Sequence, residues 1–118
     1  MNQLKLTEIT EIVMKIVSER DWQQFHTIKN LITNLVCEST ELMEPFIWLD
    51  DQDAENLLTT VKRENVEDEI GDVFMTLIMI CEKTNIDLEQ ALLNKMKKIE
   101  KKYPVEKSKG KNLKYTEL

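Results

Sequence analysis

The stretch DVFMTLIMIC, Asp72 to Cys81, decides the fold. Its side chains are apolar on nearly every side of a helix, the mark of a helix with little solvent-facing surface. That helix is predicted to start near Val66. Toward the C-terminus, a further helix begins at Asp87, where Gln90 three residues on completes a capping-box-like start, and it carries Leu88, Leu92, Met96 and Ile99. Toward the N-terminus, DDQDAENLLTTVKREN is polar apart from Leu57, Leu58 and Val61 and reads as a loop carrying one turn of helix. Before it, Thr27 can cap a helix whose stripe runs Leu31, Leu35, Leu42, Phe46 and Leu49, with Pro45 kinking it near its end. The first helix follows Thr7 as N-cap, with Glu8 and Glu11 in its early turns and Leu6, Ile9, Val13 and Ile16 as its stripe. SERDWQQFH connects these two helices.

Four helices with short links predict an all-α four-helix bundle over residues 1–103. The lysine-rich segment 104–118 is expected as a flexible tail or an arm across a neighbouring subunit. The 118 residues, 42% of them hydrophobic, suit one small domain, and only two Gly and two Pro interrupt them. Residues 1–94 carry seven Lys or Arg against nineteen Asp or Glu, whereas 95–118 carry nine against three. An acidic body argues against a binder of duplex nucleic acid and leaves room for cations. No charged-then-apolar leader opens the chain and no apolar run approaches the roughly 20 residues that span a bilayer, so no membrane partner and a cytoplasmic location are expected. Cys37 and Cys81 lack metal-knuckle or redox spacing and read as small core residues.

One residue breaks the pattern of the second helix. At about 100° per residue, Leu31, Leu35, Leu42 and Leu49 point within roughly 40° of one another, and Glu38 falls on the same line. Glu41 lies about 60° to one side, at the stripe's edge. On the third helix Glu69, Asp72 and Thr76 share a face. Two carboxylate pairs therefore project from buried helix faces, where unpaired charge costs several kcal/mol in desolvation and mutual repulsion. The apolar faces of these helices contain no lysine, and Lys29 stands two turns before Glu38. A divalent cation is the remaining neutraliser, and all-oxygen ligands suit Mg²⁺ or Mn²⁺. Mg²⁺ commonly takes phosphate oxygens as further ligands, which points to a nucleotide or pyrophosphate substrate. A di-iron bundle would need Glu-x-x-His pairs, and His26 is the only histidine, outside both carboxylate pairs.

The blocks RDWQQFHTIKNL, ESTELME followed by FIWL, EDEIGDVFMTL and KKYPVEKSKGKNLKYTEL together resemble the MazG-like nucleotide pyrophosphohydrolases, most closely their small dCTP pyrophosphatase branch. The resemblance spans Arg20 to the C-terminus. It implies an all-α enzyme that converts a nucleoside triphosphate, dCTP or a related pyrimidine nucleotide, to the monophosphate and pyrophosphate, and a homo-oligomer: a dimer, or a tetramer of two dimers. By the resemblance Glu38, Glu41, Glu69 and Asp72 match the Mg²⁺ ligands, the same four that the helix faces single out. Trp22, His26 and Trp48 match positions lining the base and sugar pocket, Lys29 and Asn30 a stretch near the nucleotide, and Lys95 and Tyr103 positions near its phosphates. Thr76 stands where the branch often has tyrosine, and Ile99 where it often has asparagine. Glu41 is the candidate acceptor of a proton from the attacking water, beside Glu38 as ligand, with Glu44 as its rival. The competing function is a non-catalytic helical interaction module whose acidic residues form salt links with the basic tail.

Overall fold

A computed structural model describes residues 3–118, and every element among them is helical. The order is α1 (Leu6–Glu19), α2 (Ile28–Met43), α3 (Asp51–Leu57), α4 (Arg63–Thr84), α5 (Leu88–Lys102) and α6 (Val105–Ser108), with short 3₁₀ turns at Trp22–Phe25, Glu44–Phe46 and Tyr115–Glu117. All four expected helices are present, as α1, α2, α4 and α5. The chain divides into two compact units, one ending at Ile86 and the other Asp87–Leu118. None of the described helices is long and apolar enough to cross a membrane.

In the first unit α2 packs along α4 and α1 leans on α4. Its core is the cluster Val17, Leu31 and Met79, with Val13, Met14, Met75 and Ile80 packed against it. Ile78 and Thr76 of α4 are also buried. The face that α1 turns inward holds Val13, Met14 and Val17, so the expected stripe member Ile16 is 39% exposed while Val17 is fully buried. A rotation of one residue, about 100°, separates the two faces.

Local chemistry sets the helix ends. Thr27 caps α2 as expected, its hydroxyl accepting from the Asn30 amide at 3.1 Å. The N-cap of α1 is Lys5 rather than Thr7, and the Glu8 carboxylate reaches back to accept from the Lys5 amide. The α2 helix closes at Met43 instead of continuing kinked to Leu49, because Pro45 has no N–H to donate to the carbonyl four residues earlier, and a 3₁₀ turn takes over. Asp50 accepts from the Asp53 amide at 2.8 Å and thereby starts α3, a seven-residue helix where one turn was expected. Asn85, in the left-handed region at φ 56°, ends α4.

In the second unit Asp87 caps α5 by accepting from the Gln90 amide. The Gln90 side chain donates to Asn94 rather than back to the cap, so the capping box is not completed. The basic segment folds back on its own helix: Gly110 turns the chain at φ 76°, the Tyr103 and Tyr115 rings meet edge-on at 6.0 Å, and Lys102 Nζ lies 4.8 Å from the Tyr115 ring. Cys37 is exposed and Cys81 half-buried, so Cys37 is not the core residue that its setting in α2 predicts. It lies about 100° from Glu38, off the stripe that packs on α4.

Candidate metal and nucleotide site

Spacing of three residues places Glu38 and Glu41 on one side of α2, and Glu69 and Asp72 likewise on α4. Because α2 lies along α4, the two pairs meet. One carboxylate oxygen from each of the four falls within 4.8 Å of the others. Glu38 and Glu69 are half-buried, while Glu41 and Asp72 are exposed. The two ion pairs among the described residues, Lys15–Glu19 and Arg63–Glu67, involve none of the four.

Glu38 Oε2 and Glu69 Oε2 are buried and have no hydrogen-bond partner. Burying an acceptor without a partner is costly, more so for a charged one. Burial first, then the neighbouring Glu41 carboxyl and the Asp72 charge, pushes the Glu38 carboxyl up to about 7 from an ordinary 4.5. Burial also raises Glu69. The set is therefore four hard oxygen donors without an ion-pair partner, two of them with a buried oxygen that no protein donor reaches. These residues fit a hard divalent cation of the Mg²⁺ or Mn²⁺ kind.

Glu38 makes stability depend on pH, and would do the same for a cation bound at the cluster. In metal-free protein the folded state holds a proton on this group that the unfolded chain releases between about 4.5 and about 7. Its contribution to stability therefore falls as pH rises through that window. A cation held by Glu38 would have to displace the same proton, so cation affinity is expected to rise with pH up to about 7 and to level off above it. The Mg²⁺-induced rise in melting temperature is expected to be larger at pH 7.5 than at pH 5.5. Equal shifts at the two pH values would contradict the assignment of Glu38 to the cation.

Beside the carboxylates lies a cleft of about 380 Å³. Glu38 and Asp72 line it together with Trp22, His26 and Asn30 and the apolar Leu31, Met75 and Met79. Trp22 comes from the 3₁₀ turn after α1, and the Arg20 guanidinium sits 5.8 Å from its ring. The Asn30 side chain donates to the Phe25 carbonyl at 3.0 Å, tying that turn to α2. Of the other residues nominated by the sequence, Lys29 is exposed on α2 and does not line the cleft, and Trp48 is 93% exposed outside it. Lys95 and Tyr103 belong to the second unit, Lys95 exposed and Tyr103 against Tyr115. Glu44 lies in the turn after α2, outside the cluster.

Two polar residues of the cleft, Asn34 and Thr76, are not nominated by the sequence in that role. Asn34 carries no mark of its own, and Thr76 stands out only as sharing the carboxylate face and as a departure from tyrosine. The spacing Asn30, Asn34, Glu38 at i, i+4 and i+8 is the available signal, since it strings three polar side chains along one face of α2.

The model of the MazG-like family matches residues 31–118, a span that contains all four carboxylates. Proteins described as dCTP pyrophosphatase 1 from Bos taurus and Mus musculus are each 35% identical over 114 residues, covering 96% of this chain and 68% and 67% of those proteins. The crystal structure of a pyrophosphatase from Archaeoglobus fulgidus matches with a TM-score of 0.78 and 35% identity, covering 88% of this chain and 96% of that one.

Proposed function

The chain belongs to the MazG-like family, and on that premise we propose that it is a cytoplasmic nucleoside triphosphate pyrophosphohydrolase acting on dCTP or a related pyrimidine nucleotide. The observation that carries this reading is the pair of buried, partnerless oxygens of Glu38 and Glu69 within a four-carboxylate cluster, two of whose members line a nucleotide-sized cleft.

Glu38, Glu41, Glu69 and Asp72 would hold Mg²⁺ or Mn²⁺. When bound, such an ion supplies positive charge against the negative charge that develops on the phosphoryl oxygens. The residues of the chain do the rest. The cleft directs the triphosphate toward Glu38 and Asp72 and offers the Trp22 ring for contact with the base, with His26 and Asn30 beside it. Water adds to one of the two phosphorus atoms flanking the α–β bridge, the α–β anhydride bond breaks, and monophosphate and pyrophosphate leave. The Glu41 carboxylate, exposed at the edge of the cluster, takes the proton of the attacking water. Lys29, Lys95 and Tyr103 are assigned to contacts along the nucleotide and its phosphates on the resemblance alone.

Incubation of purified protein with each deoxynucleoside triphosphate and Mg²⁺ tests the reading. Pyrophosphate is the expected product, formed fastest from dCTP. Orthophosphate as the product, or no turnover of any triphosphate, would overturn it. The interaction-module alternative leaves the buried, partnerless oxygens of Glu38 and Glu69 unexplained.

A homo-oligomer belongs to the same proposal. Ile70 and Phe74 of α4 are 53% and 44% exposed, and Leu92 and Leu93 of α5 are 58% and 49% exposed. On each helix taken by itself these side chains leave apolar surface that a second copy can cover. The expected state is a dimer, or a tetramer of two dimers, in which Trp48 serves a site shared between subunits. Light scattering at micromolar concentration should return at least twice the chain mass, and a monomer would contradict the assembly.

A further inference from the structure

Thr76 and Asn34 join α4 to α2 through their side chains, with Asn34 Nδ2 donating to Thr76 Oγ1 at 3.0 Å. Thr76 is 1% exposed, and both residues line the cleft. The Thr76 hydroxyl has a single proton, which it donates to the Asp72 carbonyl one turn back at 2.8 Å. Toward Asn34 it can therefore only accept. That requirement orients the carboxamide: the NH₂ group must face Thr76, and Oδ1 is left without a donor among the described residues. Along α2, Asn34 stands one turn, about 6 Å, from Glu38 and one turn from Asn30. Along the helix it lies between Asn30, which is tied to the Phe25 carbonyl, and Glu38.

We propose that Asn34 is a specificity-determining residue, whose Oδ1 accepts from the exocyclic amine of a nucleobase, and that Thr76 is the positioning residue that holds it in that orientation. Cytosine presents an amino donor at the position where uracil and thymine present a carbonyl oxygen. A fixed acceptor at Oδ1 pairs with the first and faces a lone pair on the second. A free asparagine amide could rotate and serve either base. Anchored by Thr76, it serves one. With threonine where the branch often has tyrosine, base selection falls to a pair reaching across two helices. The inference rests on the nucleotide reading of the cleft.

Binding of the product nucleotides tests it independently of turnover. Calorimetric titration should show dCMP binding the parent at least about tenfold more tightly than dUMP, the scale of one hydrogen bond made against one refused. Asn34→Ala and Thr76→Val should each bring the ratio close to one, and Thr76→Val should do so by weakening dCMP while tightening dUMP as the amide becomes free to turn. Thr76→Ser retains the hydroxyl and should keep the parental ratio, which a role in packing alone would not produce. A parental ratio surviving in both Asn34→Ala and Thr76→Val, or equal binding of dCMP and dUMP by the parent, overturns the proposal. So does a variant effect confined to the ratio of dCMP to CMP, which would place the amide at the sugar, and so does the binding of neither nucleotide. If dCMP is preferred as described but no triphosphate releases pyrophosphate, the hydrolase reading fails while the assignment of Asn34 and Thr76 stands.

Discussion

In chelator, the Glu38→Gln protein is expected to melt at or above the temperature of the parent, to respond less to Mg²⁺, and to hydrolyse its triphosphate roughly 100-fold more slowly or worse. The three effects have one cause. Glu38 Oε2 is buried without a partner, within 4.8 Å of oxygens from three other carboxylates. In metal-free protein this arrangement opposes folding, through desolvation and through like-charge repulsion. Glutamine has the same size, carries no charge and can donate to Glu41 or Glu69, so the strain is relieved. The same change removes one of the proposed ligands, and a cation that binds only the folded state would then contribute less stabilisation by mass action. Charge placed against a developing phosphoryl charge is worth several kcal/mol, and each ~1.4 kcal/mol is about tenfold in rate. Stability without metal and activity with it should therefore move in opposite directions. Thermal melts in chelator and in Mg²⁺, beside pyrophosphate release, check the pattern. A variant that melts well below the parent in chelator yet gains as much from Mg²⁺ would show that Glu38 is a structural acid and not a ligand.

Leu31→Ala should destabilise the first unit by about 2–5 kcal/mol, the usual cost of deleting three buried methyl or methylene groups and leaving part of the space empty. Leu31 is 2% exposed and stands between Val17 of α1 and Met79 of α4. Few buried residues share the load: Val17, Leu31, Leu57, Val66, Ile78 and Met79 are the buried hydrophobics among the described residues. Against a total stability on the order of 5–15 kcal/mol, the loss is a large fraction. Leu31 also lines the cleft, so nucleotide binding should weaken in the folded fraction. Urea titration should show the midpoint falling with an unchanged slope. A cost below about 1 kcal/mol would mean that the α1–α2–α4 cluster is not what holds the unit together.

Short-range geometry accounts for the features legible in the chain alone. A run with apolar side chains on nearly every side, from Val73 to Cys81, makes a helix with little solvent-facing surface the consistent reading; the helix is there, with Ile78 and Met79 buried but Phe74 44% exposed, and Thr27 and Asp87 announce helix starts through hydrogen bonds to amides three residues on. The carboxylate pairs are legible for the same reason. A separation of three residues puts two side chains on one face whatever the rest of the chain does, and a charge inside an apolar stripe calls for a ligand.

Tertiary structure decided the features that depend on the rotation and neighbours of each helix. Val17 rather than Ile16 meets the core, although both are apolar and adjacent, because about 100° of azimuth separates them and the packing partner selects the face. Cys37 lies exposed one residue from Glu38 on the same grounds. Pro45 is legible as a disturbance, but whether it kinks or ends α2 turns on the conformation of residues 44–46, and here a 3₁₀ turn accepts the break. The bond between Asn34 and Thr76 spans 42 residues. No local period encodes it, since it exists only because α2 and α4 lie side by side with those two faces opposed. The same juxtaposition brings Glu38 and Glu41 to Glu69 and Asp72, turning two ordinary helical spacings into one cluster with buried oxygens that have no donor.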